Sequence, residues 1–161
     1  MLITKKNFFL LVMFISLLTI ISAIYIEYIL QVPACKLCIY QRVPYLIAIA
    51  VCFFGYYSNF KNICLHILGL TFFFSIILSS YHVGIENNIF SEFSGCVTQN
   101  MNITDKKELL EIIKAQRPSC KNVNFTILGF SLATINLIIS IAITLGTIKY
   151  IYNEKIKSKK S

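Results

Sequence analysis

Tryptophan is absent from this chain of 161 residues, and charge is scarce: Asp, Glu, Lys and Arg together make up 14%. So little charge, beside 57% hydrophobic residues and a mean hydropathy of +0.71, excludes an ordinary soluble domain, in which about a quarter of residues are charged. The composition is that of an integral membrane protein, and the length is that of one domain. Without tryptophan, Tyr and Phe must supply any aromatic residues at the membrane–water interfaces. Acidic residues are the rarer charge, 7 against 15 Lys and Arg. That excess does not mark a nucleic-acid partner, because the basic residues gather at the two termini and in one loop rather than in a patch. Internal repeats and low-complexity segments are also missing. The first apolar run is longer than the roughly 7–15 residues of a signal core, and no small-residue cleavage motif follows it, so it is expected to be an uncleaved first transmembrane helix.

Four apolar segments are present, and they predict an all-α bundle with spans at about 8–30, 41–58, 63–83 and 126–148. The first, behind Lys5 and Lys6, reaches roughly 34 Å as a helix, enough to cross a bilayer. Glu27 lies near its far end, either snorkelling to the interface or serving as a partner inside the bundle. Pro33 stops that helix. The second span is short, so Ile39 to Arg42 are expected in its first turn, which puts Cys38 at or next to a helix N-terminus. The long polar segment at about 84–124 is an outer loop. Within it Asp105 and Glu108 form a capping box, and Leu109, Leu110, Ile112 and Ile113 make an apolar stripe. That short amphipathic helix either packs on its own loop or lies in the membrane interface.

Six cysteines are many for a cytosolic chain and too few for a disulfide scaffold. Cys52 and Cys64 sit inside or at the edge of apolar runs, where a thiol is a small hydrophobe. Cys35 and Cys38 form a C-x-x-C pair, the spacing of a redox dithiol or of half a zinc site. Cys96 and Cys120 lie in the polar segment. Basic residues in short flanks favour both termini in the cytoplasm, and that topology puts both cysteine pairs on the oxidising side. Two such pairs can exchange a disulfide, passing two electrons from loop to membrane surface, where a lipid-soluble quinone is the natural acceptor. Arg42, four residues after Cys38 and so on the same face of a continuous helix, is a permanent cation able to stabilise developing negative charge.

The segment Cys35-Lys36-Leu37-Cys38-Ile39-Tyr40-Gln41-Arg42 resembles the signature of the DsbB family, quinone-dependent oxidases of the bacterial inner membrane. Glu27-Tyr28 before Pro33, Tyr81-His82-Val83-Gly84-Ile85-Glu86, and Cys120 followed by Phe125, Leu128 to Ala133 and Asn136 resemble further family segments in the same order. The chain departs from the family at Lys36, where many members carry proline, and in lacking tryptophan after Glu86. The resemblance implies a four-helix membrane bundle, acting as a monomer, that reoxidises a periplasmic DsbA-like thioredoxin-fold protein. Electrons would pass to a membrane quinone, ubiquinone or menaquinone. It implies that Cys96 forms the mixed disulfide with the partner and that Cys120 attacks the Cys35–Cys38 disulfide, bonding to Cys35. Cys38 would face the quinone as a thiolate, with Arg42 and His82 near its ring, and no metal is implied. Three rivals stand beside it. One is a non-enzymatic membrane protein whose Cys96–Cys120 disulfide only shapes a partner-binding loop; another is a four-cysteine metal site. The third, a protein like vitamin K epoxide reductase, shares the chemistry but not the Gln41-Arg42 context. From residue type alone His82 can equally be an interfacial histidine, and Arg42 a snorkelling flank.

Overall fold

The computed structural model describes residues 4–91, 119–121, 125–127 and 129–160. The amphipathic segment around Asp105 and Leu109 and the loop cysteine Cys96 lie outside the described residues. Four helices long and apolar enough to cross a membrane make up the structure. They run α1 (Lys5–Tyr28), a short α2 (Lys36–Tyr40) leading into α3 (Val43–Tyr57), α4 (Lys61–Glu86) and α5 (Leu132–Lys160). Succession up and down places both chain ends at the end of the bundle opposite the Cys35 motif.

Each boundary has a local cause. Past α1, Gln31 takes a left-handed conformation (φ 55) and its side-chain amide donates to the Tyr28 carbonyl, so the chain turns before Pro33. Ile39 to Arg42 lie in the early turns of the Lys36–Tyr57 span, as expected, but the helix there is not continuous. Pro44 has no N–H for the Tyr40 carbonyl and its ring crowds it, so the helix breaks at Gln41 and Arg42 and resumes at Val43. The fourth helix starts at Leu132, six residues later than the expected 126. Thr126–Ile127 and Phe130–Ser131 instead pair as a small antiparallel ladder, turned through Gly129 at φ 84. The Ser131 hydroxyl then accepts the Thr134 N–H at 3.2 Å and caps α5. The third helix runs two residues earlier and three later than expected.

Packing order is α1 on α3, α3 on α4, and α4 on α5. The core is aromatic and aliphatic, with Phe9, Val12, Tyr45, Ala48, Leu65, Leu68 and Phe72 all but sealed from solvent. Lipid offers helices no hydrophobic reason to associate, so buried polar contacts help to join them. Ser75 and Ser140 meet at 2.9 Å, Asn136 donates to the Ser79 hydroxyl at 2.7 Å, and the Tyr45 hydroxyl donates to Asn136. These form a polar ladder between α4 and α5, extended to α3. At the end bearing the chain termini, α1 and α5 touch through Phe8 and Tyr150, with ring centroids 4.5 Å apart. Toward the Cys35 end they part, and a cavity opens between them.

Candidate active site

The cysteine motif is shaped by its own short helix. Cys35 is the N-cap of α2, extended at φ −68 and ψ 166, and its sulfur accepts the Cys38 N–H at 3.3 Å. One helical turn brings the two sulfurs to 2.8 Å, with the Cys35 thiol donating to Cys38. Two thiolates sharing a tetrahedral zinc at about 2.3 Å each would stand roughly 3.7 Å apart, so this spacing suits a bond between the sulfurs better than a shared metal. The hydrogen bond to Cys38 and then burial push the Cys35 thiol up to about 12, with His82 pulling the other way. Cys120 packs into the same buried cluster as Cys35, Leu37 and Ile85. Three of the four cysteines expected to react are thus gathered at one place, and the fourth, Cys96, lies outside the described residues.

His82 is 2% exposed and has neighbours on three sides. Its Nε2 lies 3.7 Å from the Cys35 sulfur and 3.8 Å from Glu86 Oε1, while the Gln41 side-chain nitrogen is 3.1 Å from its Nδ1. Ser131 donates to the other Glu86 oxygen at 2.6 Å. Arg42 stands at the N-cap position of α3, and its guanidinium meets Glu27 at 2.5 Å, so the carboxylate that sequence left as either snorkelling or partnered is partnered.

These side chains wall a cavity of about 430 Å³ between α1 and α5. Ala23, Ile26, Ile135 and Ile139 give it apolar sides, and Cys38, Arg42, His82 and Asn136 a polar end. Its volume is in the range of small-molecule sites, and its make-up, apolar with a few converging polar groups, is theirs too. A flat ring bearing two carbonyls on a greasy tail fits that division, so the residues present fit a quinone.

Sequence reading brought Cys35, Cys38, Cys120, Arg42 and His82 forward, and the structure assembles all five around the cavity. It missed Gln41, Glu86 and Ser131. Glu86 carried a signal, standing four residues after His82 and hence on the same helix face. Gln41 and Ser131 lie in segments that resemble the family, but no spacing ties either of them to His82 or Glu86.

Compared with known proteins, residues 5–149 match the family described as Disulfide bond formation protein DsbB. The chain belongs to the DsbB family. An uncharacterized protein of Rickettsia prowazekii (strain Madrid E) is 29% identical over 135 residues, covering 80% of this chain and 77% of its own. As a DsbB-family member the chain is a multi-pass inner-membrane protein of disulfide bond formation and a disulfide oxidoreductase. A purely structural outer disulfide would leave the Cys35–Cys38 pair, its histidine and its cavity without a purpose.

Proposed function

We propose that this DsbB-family protein reoxidises a periplasmic DsbA-like dithiol protein and delivers the electrons to a membrane quinone, with both termini in the cytoplasm. The observation that carries this reading is the Cys35–Cys38 pair at the polar end of an apolar, ligand-sized cavity that opens between α1 and α5. When bound, a quinone supplies a sink for two electrons and two protons. Cys96 would take the partner's disulfide-exchange step and Cys120, already packed beside Cys35, would carry it inward. Attack of the Cys120 thiolate on Cys35 forms one S–S bond and breaks the Cys35–Cys38 bond, and Cys38 leaves with the electron pair. Cys38 then faces the cavity, where the Arg42 guanidinium, steadied by Glu27, offers further donors to negative charge.

Anaerobic titration of the purified protein with a quinone and a reduced DsbA-like partner tests this. One quinone should be reduced for each partner disulfide made. Partner oxidation with no quinone consumed would overturn the acceptor. Topology has its own check: in reduced cells with a permeable outer barrier, an impermeant thiol reagent should label Cys96 and spare Cys64. Labelling of Cys64 alone would invert the topology.

A further inference from the structure

Closing the Cys35–Cys38 bond requires Cys35 to lose its proton, and the surroundings of Cys35 make that hard without help. The residue is 6% exposed, and water is not a ready base there. Cys38 is the nearest acceptor, but its sulfur is the atom to which Cys35 must bond. Among the described residues, His82 brings a basic nitrogen, Nε2, to 3.7 Å from the Cys35 sulfur. That nitrogen also faces Glu86 Oε1 at 3.8 Å.

We propose that His82 is the base that takes the Cys35 proton, and that Glu86 is a positioning residue that orients His82 and stabilises its protonated ring. The inference rests on the reading of Cys35 and Cys38 as the pair that is cyclically oxidised and reduced. The step is a proton transfer alone: the Cys35 S–H bond breaks, an Nε2–H bond forms, and no electrons change hands. The resulting thiolate is the form of Cys35 that can bond to Cys38 in a separate step, in which the pair's two electrons would pass to the quinone acceptor.

The supporting geometry extends on both sides of the ring. Glu86 sits one helical turn after His82 on α4, and its second oxygen is held by the Ser131 hydroxyl at 2.6 Å, which keeps the first directed at the ring. Ser131 in turn caps α5 and meets Thr134 Oγ1 at 3.0 Å, so the carboxylate is anchored to a second helix. On the other side the buried Gln41 amide lies against Nδ1. An amide serves either tautomer: its NH₂ donates to a bare Nδ1, and turned over, its carbonyl accepts from Nδ1–H and leaves Nε2 bare toward Cys35. The other titratable and charged groups around the cavity are Glu27 and Arg42, already paired with each other, Cys38 and Cys120 from the motif and the 119–121 segment, and Tyr45 from α3, whose hydroxyl donates to Asn136. Glu86 is therefore the only carboxylate among the described cavity residues that faces the histidine without a cation of its own.

The test uses the full chain carrying Cys38→Ser and Cys120→Ala, reduced, in lipid nanodiscs without quinone, so that Cys35 keeps His82 but neither neighbouring thiol. Alkylation of Cys35 by iodoacetamide is followed site by site by mass spectrometry from pH 6 to pH 9, with Cys64 as the control in the same sample. With an internal base, the Cys35 rate should be nearly flat from about pH 7 upward, because thiolate forms by transfer within the pair. Glu86→Gln keeps the size of the side chain and an oxygen for Ser131 but removes the charge. It should slow Cys35 alkylation about tenfold at pH 7, the worth of one charge-assisted contact, and make the rate climb with pH. Glu86→Asp should recover part of the loss, and His82→Phe should show the full climb, close to tenfold per pH unit. Cys64 should react alike in all of them. A Glu86→Gln profile equal to that of the parent would overturn the role of Glu86, as would a slower rate with unchanged pH dependence, the mark of a merely structural change. A steep climb in the parent itself would overturn His82 as the base. Failure of the unsubstituted protein to oxidise a partner dithiol would instead sink the oxidoreductase reading, and the alkylation profiles do not depend on it.

Discussion

Among the described residues, Cys35 with Cys38 and Cys52 with Cys64 lie toward opposite ends of α3, and the same side chain has opposite surroundings in each. Cys52 is sealed in the aromatic and aliphatic core, with Cys64 packed against that core from α4. Among the described residues, no hydrogen-bonding group is directed at either sulfur in the way that His82 and the Cys38 N–H are directed at Cys35. Cys35 and Cys38 sit on a one-turn helix, 2.8 Å apart, against a cavity and within reach of an imidazole and a guanidinium. Reactivity here belongs to the surroundings, not to the thiol.

Substitutions can break that contrast, beginning with the largest effect. Cys38→Ser should abolish oxidation of a partner dithiol, measured by trapping the partner's free thiols. The double change Cys52→Ala with Cys64→Ala should leave the same rate within about twofold. If the double change were the one to stop electron transfer, the two ends would have been read the wrong way round. Arg42→Met should slow reduction of added quinone by about 10²-fold, the usual cost of one lost electrostatic donor, while disulfide exchange with the partner stays near normal. Arg42→Lys should restore only part of it, because an ammonium lacks the planar fork. Native quinone kinetics in Arg42→Met would reduce Arg42 to the anchor of Glu27. In the core the sign of the outcome reverses. Phe72→Ala should cost about 3–5 kcal/mol in thermal or denaturant unfolding, with electron transfer per folded molecule unchanged. Smaller still, Cys52→Ser should cost about 1 kcal/mol or less, because a helical hydroxyl can bond the carbonyl four residues earlier, as buried Thr144 and Thr147 do.

The sequence made the first half of this contrast readable. A period-free apolar run of sufficient length declares a span, and the C-x-x-C spacing sets two sulfurs one helical turn apart wherever a helix begins at the first. Both are local, and both are seen. The Pro44 break was available in the same way, and the continuous-helix reading of Ile39 to Arg42 overlooked it. What stayed hidden depends on which faces of different helices meet. Glu27 and Arg42 come from separate spans, and Gln41 and His82 are 41 residues apart. Ser131 reaches Glu86 only because the chain forms a tiny strand pair before α5, where an unbroken helix was expected. No periodicity within one segment encodes such meetings.

The polar ladder between α4 and α5 has a consequence for how the protein is put together. These two helices are joined by the longest connection in the chain, so α5 must find α4 across a wide range of trial alignments. Apolar surfaces slide on one another at little cost in lipid. Ser75 with Ser140 and Ser79 with Asn136 are spaced four residues apart on both helices, so a slip of a single residue would mismatch both at once. The ladder thus acts as a vernier: two modest contacts, each worth about 0.6 kcal/mol, select one alignment. Once they are matched, Ser131 arrives opposite Glu86 at the top of the bundle, whatever the length of the polypeptide between the helices.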